Sequence, residues 1–169
     1  MPQPNRYQPL IHQLEYLEAA YHLHICVKDY VGFIPIDKEL SAALTPYLGH
    51  SNPYCMFIKQ SQSRYYHCLS MMKKMANKCL TEGCTYRGAC YAGVGEYVSP
   101  ILWEGKLLGA VTAGFLPLEK EEARSRIARA MEGSPDGELE ASMNRTSCPR
   151  RCPSRRCCPR WISWPATWP

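Results

Sequence analysis

Long hydrophobic runs are missing from this sequence. The apolar stretch Leu107–Leu118 has only twelve residues and is broken by Gly109, Gly114 and Pro117, whereas a bilayer-spanning helix needs about 20. No apolar segment follows a basic start at the N-terminus, so the expectation is a cytoplasmic protein with no secretory signal and no membrane partner. The common signatures of nucleotide binding and hydrolysis are missing as well: there is no G-x-G-x-x-G, no P-loop, no G-x-S-x-G and no H-E-x-x-H. Acidic residues are absent from residues 143–169.

What is present divides into two unlike parts. The 169 residues are 46% hydrophobic and 21% charged, ordinary values for one globular domain and a tail. The net charge of +5 is uneven: residues 1–142 hold 14 basic and 15 acidic residues, a net of −1, whereas residues 143–169 hold six arginines, a net of +6. The overall basicity is therefore no sign that the body binds nucleic acid. The tail also holds Cys148, Cys152, Cys157 and Cys158, three of the four tryptophans, and prolines at 149, 153, 159, 165 and 169, a spacing that forbids a useful helix. Three readings of it stay open. It can be a metal knuckle, although adjacent Cys157 and Cys158 suit one ion poorly. It can be a basic arm for phosphates. Or it is GC-rich DNA read in the wrong frame, the reading its composition favours. The expected division is a body over 1–132 and a linker with a basic Cys/Pro/Trp-rich tail over 133–169.

Along the body, Leu10, Leu14, Leu17 and Tyr21 make the apolar stripe of an amphipathic helix. His22–Val27 alternates like a strand and ends in an aliphatic cluster, Lys28–Gly32 offers turn chemistry, and Phe33–Ile36 is expected to return as an edge strand. Asp37 is placed to cap a short helix carrying Leu40, Leu44 and Tyr47, and Gly49–Pro53 reads as a loop. Ser63–Leu80 is the most helical segment, with Tyr65, Leu69, Met72, Met75 and Cys79 as its stripe, flanked by Cys68 and Met71, and with Gly83 as its stop. Strands follow over Thr85–Tyr91, Glu96–Leu102 and Lys106–Phe115, the last two joined by the turn Trp103-Glu104-Gly105. A charged helix closes the body over Glu119–Met131. The order predicts an α+β domain, an antiparallel sheet with helices packed on one face, followed by an irregular tail.

Chemistry is sparse. Cys26, Cys55, Cys68, Cys79, Cys84 and Cys90 read as reduced thiols, either buried as small hydrophobes or lining a pocket. His67, Cys68, Cys79, Cys84 and Cys90 lie within 24 residues and are the alternative, a zinc set or a redox switch activated by His67 or Arg87, although the tight C-x2-C pair is lacking. Glu96 is the single acid between Gly83 and Trp103. It either faces solvent from a half-exposed strand or accepts hydrogen bonds from a ligand. The glycines of 83–114 either bend the sheet or leave room above it.

Ordered blocks over about residues 10–132 carry a resemblance. They are Ile25-Cys26-Val27-Lys28-Asp29-Tyr30-Val31-Gly32-Phe33-Ile34-Pro35-Ile36, Asn52-Pro53-Tyr54-Cys55, Cys68, Cys90 through Ile101, and Leu108 through Phe115. Together they resemble the PocR-type sensory domain, regarded as a variant of the PAS-like fold. That domain is found at the N-terminus of AraC-type transcriptional regulators and in histidine kinases, where it senses small organic molecules such as diols. The resemblance implies a PAS-like sheet and a non-catalytic, cofactor-free ligand sensor. Cys55, Cys68, Cys90, Glu96 and Tyr97 would lie near its pocket, the thiols and the Tyr97 ring as walls and Glu96 or the Tyr97 hydroxyl as partners of ligand hydroxyls. Two departures stand out. Cys90-Tyr91 replaces the usual Cys-His, and the helix-turn-helix module through which such a protein would reach DNA is missing. A body cut near Met131 would leave apolar surface uncovered, which predicts a homodimer.

Overall fold

The computed structural model describes residues 5–116, 118–131 and 142. Helix α1 (Gln8–Tyr21) begins with Pro9 in its first turn, where a missing N–H costs nothing, and ends at His22 in the left-handed region. Leu14 is its buried residue, with Ile11 and Leu17 beside it, whereas Leu10 and Tyr21 of the expected stripe are exposed and Ile11 turns to the core in place of Leu10. Strand β1 (His24–Asp29) is apolar on both faces at Ile25, Cys26 and Val27, all buried. Lys28 and Asp29 extend this strand, so the turn expected there starts two residues later.

That turn is built by one carboxylate. The Asp29 Oδ1 accepts backbone N–H bonds from Val31 (3.1 Å), Gly32 (2.7 Å) and Phe33 (3.1 Å), and Oδ2 accepts from Ile34 (2.9 Å). Gly32, at φ +79°, supplies the reversal this wrapping needs. The strand expected over Phe33–Ile36 is instead a 3-10 turn, Ile34–Ile36, because its donors are spent on Asp29 and Ile34 turns into the core. Asp37 caps α2 (Lys38–Leu44) through the N–H groups of Glu39 and Leu40, as expected. A second 3-10 turn, Thr45–Tyr47, buries Tyr47.

Helix α3 (Pro53–Lys59) occupies a region not expected to be helical. Asn52 caps it, its side chain accepting from the Cys55 N–H at 2.8 Å. Helix α4 (Gln62–Glu82) follows and stops at Gly83, φ +64°. Its buried line is not the expected one throughout. Met75 and Cys79 are buried, but Tyr65 and Leu69 are exposed, and Arg64, Cys68 and Met71 turn inward in their place. Helix α3 lies against the first turns of α4, and the Arg64 Nε donates to the Ile58 carbonyl at 3.1 Å, which fixes the rotation.

Strands β2 (Tyr86–Ala89), β3 (Gly95–Trp103) and β4 (Lys106–Leu116) complete a four-stranded, wholly antiparallel sheet in the order β1-β4-β3-β2. Helix α5 (Lys120–Ala130) buries Ala123 and Ile127. The α+β class and the antiparallel sheet are as the sequence predicts, but helices cover both faces. Helices α1 and α2 pack on Ile25, Val27, Val111 and Ile101, while Met75 and Cys79 of α4 pack on Val98 and Ala110. The doubly apolar β1 is the reason. Expectations for residues 133–169, including the tail cysteines, lie outside the described residues, apart from Ser142, which is buried. Among the described residues no helix is long and apolar enough to cross a membrane.

Candidate functional site

The register of the sheet sorts its side chains. Glu96 pairs with Gly114, which pairs with His24; Val98 with Thr112 and Cys26; Pro100 with Ala110 and Lys28. Directly opposed residues share a face, so these all stand on the face that α4 covers. Gly88 of β2, opposite Glu96, extends it. Toward the Glu96 end the side chains are small or absent, at Gly88, Thr112 and Gly114, and a methyl group at Gly114 would meet nothing closer than 3.7 Å.

Three polar residues enter this face from the segment around α3. The His50 ring lies over β4, its Nε2 3.4 Å from the Thr112 Oγ1. The Lys59 Nζ donates to the His50 carbonyl at 2.7 Å and so ties the end of α3 to its approach loop. Asn52, 6% exposed, spends its Oδ1 on the α3 cap, while its Nδ2 is buried with no partner among the described residues. Tyr54 and Ile58 enter a core with Ala92, Val94, Ile127 and Ala130, against which Cys55 and Cys90 also pack. The Tyr54 hydroxyl donates to the Ala92 carbonyl and the Tyr91 hydroxyl to the Arg64 carbonyl, at 2.6 Å in the second case. These bonds hold the Cys90–Val94 loop against α3 and α4.

Burial dominates the electrostatics. Glu96 is 5% exposed, and among the described residues no hydrogen bond or ion pair reaches its carboxylate. Its pKa is raised by burial, with the Lys28 charge pulling the other way. Burial tends to lower the Lys28 pKa, but nearby Cys26, Cys68 and Glu96 outweigh it and the net direction is upward. His50 is pushed down to about 3, by burial first and then by Lys28 and Lys59, and its imidazole is neutral at pH 7. Burial lifts the Tyr30 phenol to about 12, and this hydroxyl too is buried without a partner among the described residues. The thiols follow: burial raises Cys26, takes Cys55 to about 11, and takes Cys90 to about 12 with help from Glu96.

Four of the five expected site residues lie within electrostatic range of one another: Cys55 with Cys68 and Cys90, Cys90 with Glu96, and Lys28 with Cys68 and Glu96. Tyr97 is not with them. It is the strand neighbour of Glu96, so the pleat sends it to the opposite face, where it is 48% exposed. The alternative set does not assemble either. Cys79 is buried under the far part of α4, Cys84 is exposed beyond its end, and His67 is exposed with its ring 5.7 Å from that of Tyr91. Among the described residues no three His, Cys, Asp or Glu side chains are placed to hold a metal ion. Sequence reasoning did not bring Lys28, His50, Asn52 or Lys59 to this face, and named Cys26 only among the six buried or pocket-lining thiols. For Lys28 a signal existed, since it stands two residues from Cys26 and shares its face once β1 is extended.

The thiols give a direct check. At pH 7.5 a thiol with a pKa of about 11 is ionised in about one molecule per few thousand. Of the six described cysteines, exposed Cys84 is expected to be alkylated first by iodoacetamide, with Cys55 and Cys90 protected until unfolding. Peptide mapping by mass spectrometry reads the order. Modification of Cys90 ahead of Cys84 would contradict the burial described.

In a comparison with protein families, the family model described as the sensory domain found in PocR matches residues 15–150. The chain belongs to that family. No curated protein and no solved structure matches it.

Proposed function

We propose that this member of the PocR sensory-domain family is the ligand-sensing module of a bacterial transcription regulator or signal-transduction protein. It binds a simple organic molecule such as a diol on the sheet face beneath α3 and α4, without catalysing a reaction on it. The observation that carries the reading is the Glu96 carboxylate, buried with no protein hydrogen bond among the described residues. A buried carboxylate left in that state is costly, and a ligand hydroxyl relieves the cost. Asn52 Nδ2 and Tyr30 OH, buried and without hydrogen-bond partners among the described residues, add donors to the same neighbourhood. The thiols of Cys55, Cys68 and Cys90 and the side chain of Val98 supply apolar wall. A few convergent polar groups in an apolar surround are the usual make-up of a small-ligand site.

The same features support a sensor over an enzyme. The Cys55 and Cys90 thiols are held in their poorly nucleophilic protonated form, and the His50 Nε2 faces a hydroxyl that is itself fully buried. In the reading proposed here, the output belongs to a DNA-binding or kinase module in a cytoplasmic regulator of AraC type or a related architecture, assembled as a homodimer.

The test is calorimetric titration with a series of 1,2-diols, on the wild-type chain and on Glu96→Gln. A hydrogen bond to a charged group contributes about 1.5–3 kcal/mol, so Glu96→Gln is expected to weaken diol binding about 10- to 100-fold with little loss of fold. Unchanged affinity would remove Glu96 from the site. Absence of binding by any small polar ligand would overturn the sensor reading itself.

A further inference from the structure

Lys28 is the feature of this face that a neutral ligand leaves unexplained. It stands on the covered face two residues from Cys26 and opposite Ala110. Its charge and that of Glu96 act on each other, yet the pair is not joined: among the described residues, ion pairs within 4 Å form only between Arg6 and Asp37, Arg6 and Glu39, and Arg126 and Glu122. Two opposite charges, a buried Glu96 and a half-buried Lys28, stand on one covered face and are held apart. A sheet that only needed to neutralise them would bring them into contact, because separated buried charges cost far more than paired ones.

The other groups on this face tilt the balance toward donors. Lys59 brings a second cation, while Asn52 offers a buried N–H2 and Tyr30 a buried O–H, both without protein partners among the described residues. His50 adds no charge, since burial keeps it neutral at pH 7. Glu96 is the single acid here. A diol can satisfy Glu96, but it leaves the Lys28 ammonium without a counter-charge. An amino acid would bring its ammonium near Lys28 and Lys59 as well as Glu96. A carboxylate with a neighbouring hydroxyl meets every requirement: its anionic end answers Lys28 and the amide of Asn52, and its hydroxyl answers Glu96.

Resting on the sensor reading above, we propose that the ligand is a small hydroxy-carboxylate, with Lys28 as the residue that selects the carboxylate. Burial raises the Glu96 pKa, which suits a hydroxyl partner at that end better than a cationic one.

The experiment pairs ligands that differ only at the anionic end. Lactate is titrated against 1,2-propanediol, and glycerate against glycerol, by calorimetry on the full chain. Each acid is expected to bind at least tenfold more tightly than its diol or triol. Lys28→Met is expected to erase that preference while leaving the neutral ligand within about twofold. Equal or tighter binding of the neutral partner overturns the proposal and leaves the sensor reading standing, whereas binding of none of the four overturns both. A Lys28→Met variant that weakens both members of a pair equally shows a merely structural lysine and also overturns the proposal. Propionate binding as tightly as lactate overturns the hydroxyl half. The wild-type comparison alone decides the selectivity, so an unstable variant does not leave the question open.

Discussion

Gly109→Ala is expected to destabilise the fold by about 4 kcal/mol, with a visible loss of sheet signal in circular dichroism. Gly109 is buried on β4 opposite Asp29 of β1 and Ile101 of β3. A methyl group there would run into the Lys28 carbonyl oxygen, with the Phe33 ring edge 3.2 Å away on the other side. The ring could shift; the carbonyl belongs to the strand backbone and cannot move without breaking the β1–β4 ladder. Overpacking in a tight core commonly costs about 1–3 kcal/mol, and loss of ladder bonds at about 1 kcal/mol each adds to it. Urea denaturation followed by tryptophan fluorescence or circular dichroism measures the change. A loss below about 1 kcal/mol would mean that the strands are not held together as tightly as described.

Asp29→Ala is expected to cost about 3 kcal/mol, since four backbone N–H groups lose one shared acceptor and hydrogen bonds to a charged group are among the stronger ones. The effect carries a pH signature. Burial tends to raise the Asp29 pKa, but the bonds from Ile34, Phe33, Gly32 and Val31 outweigh it and hold the carboxyl below its ordinary 3.8. A carboxyl depressed in the folded state binds its proton more readily when unfolded. Its stabilisation is therefore complete above the unfolded value near 4 and is lost as pH falls through the lower folded value. Wild type and Asp29→Ala are expected to differ by a constant amount from pH 5 to 8, and to converge at lower pH. A gap that grows on acidification would reverse the assigned direction. Asp29→Asn, which keeps one acceptor oxygen, should fall between the two.

Strands β2, β3 and β4 were readable because glycines and the Trp103-Glu104-Gly105 turn bracket them, and β1 through its aliphatic cluster. The hairpin over Gly95–Leu116 follows directly from Glu104-Gly105, both at positive φ, in the turn. What escaped was decided between distant segments. The Phe33–Ile36 sequence suits a strand, and only the Asp29 carboxylate, reaching back over its own loop, makes it a turn. The inward line at the start of α4 follows Arg64 because its Nε donates to the end of α3 and its carbonyl accepts from Tyr91 of the Cys90–Val94 loop. At the candidate site, Cys55, Cys68, Cys90 and Glu96 were named through the family resemblance, and the structure brings them into one neighbourhood. Tyr97 was misplaced because adjacent strand residues are close in sequence and opposite in space. Lys28, His50 and Asn52 were missed because no spacing within one element links them; β1, the approach to α3 and β3 meet only in the folded sheet.

The strand order has a kinetic consequence. Strands β2, β3 and β4 are neighbours in sequence as well as in the sheet, so their pairing closes short loops. The β1–β4 ladder joins His24 to Gly114 across most of the described chain. Bringing such distant segments together costs more loop entropy before any contact repays it. Strand β1 is therefore expected to dock late, onto a hairpin already formed. Half of the site arrives with it, since Cys26 and Lys28 come from β1 while Glu96 and Thr112 wait on the hairpin. A molecule bridging Lys28 and Glu96 would clasp the last-arriving strand of the sheet, and the first sign of its presence would be a slower rate of β1 release in amide hydrogen exchange.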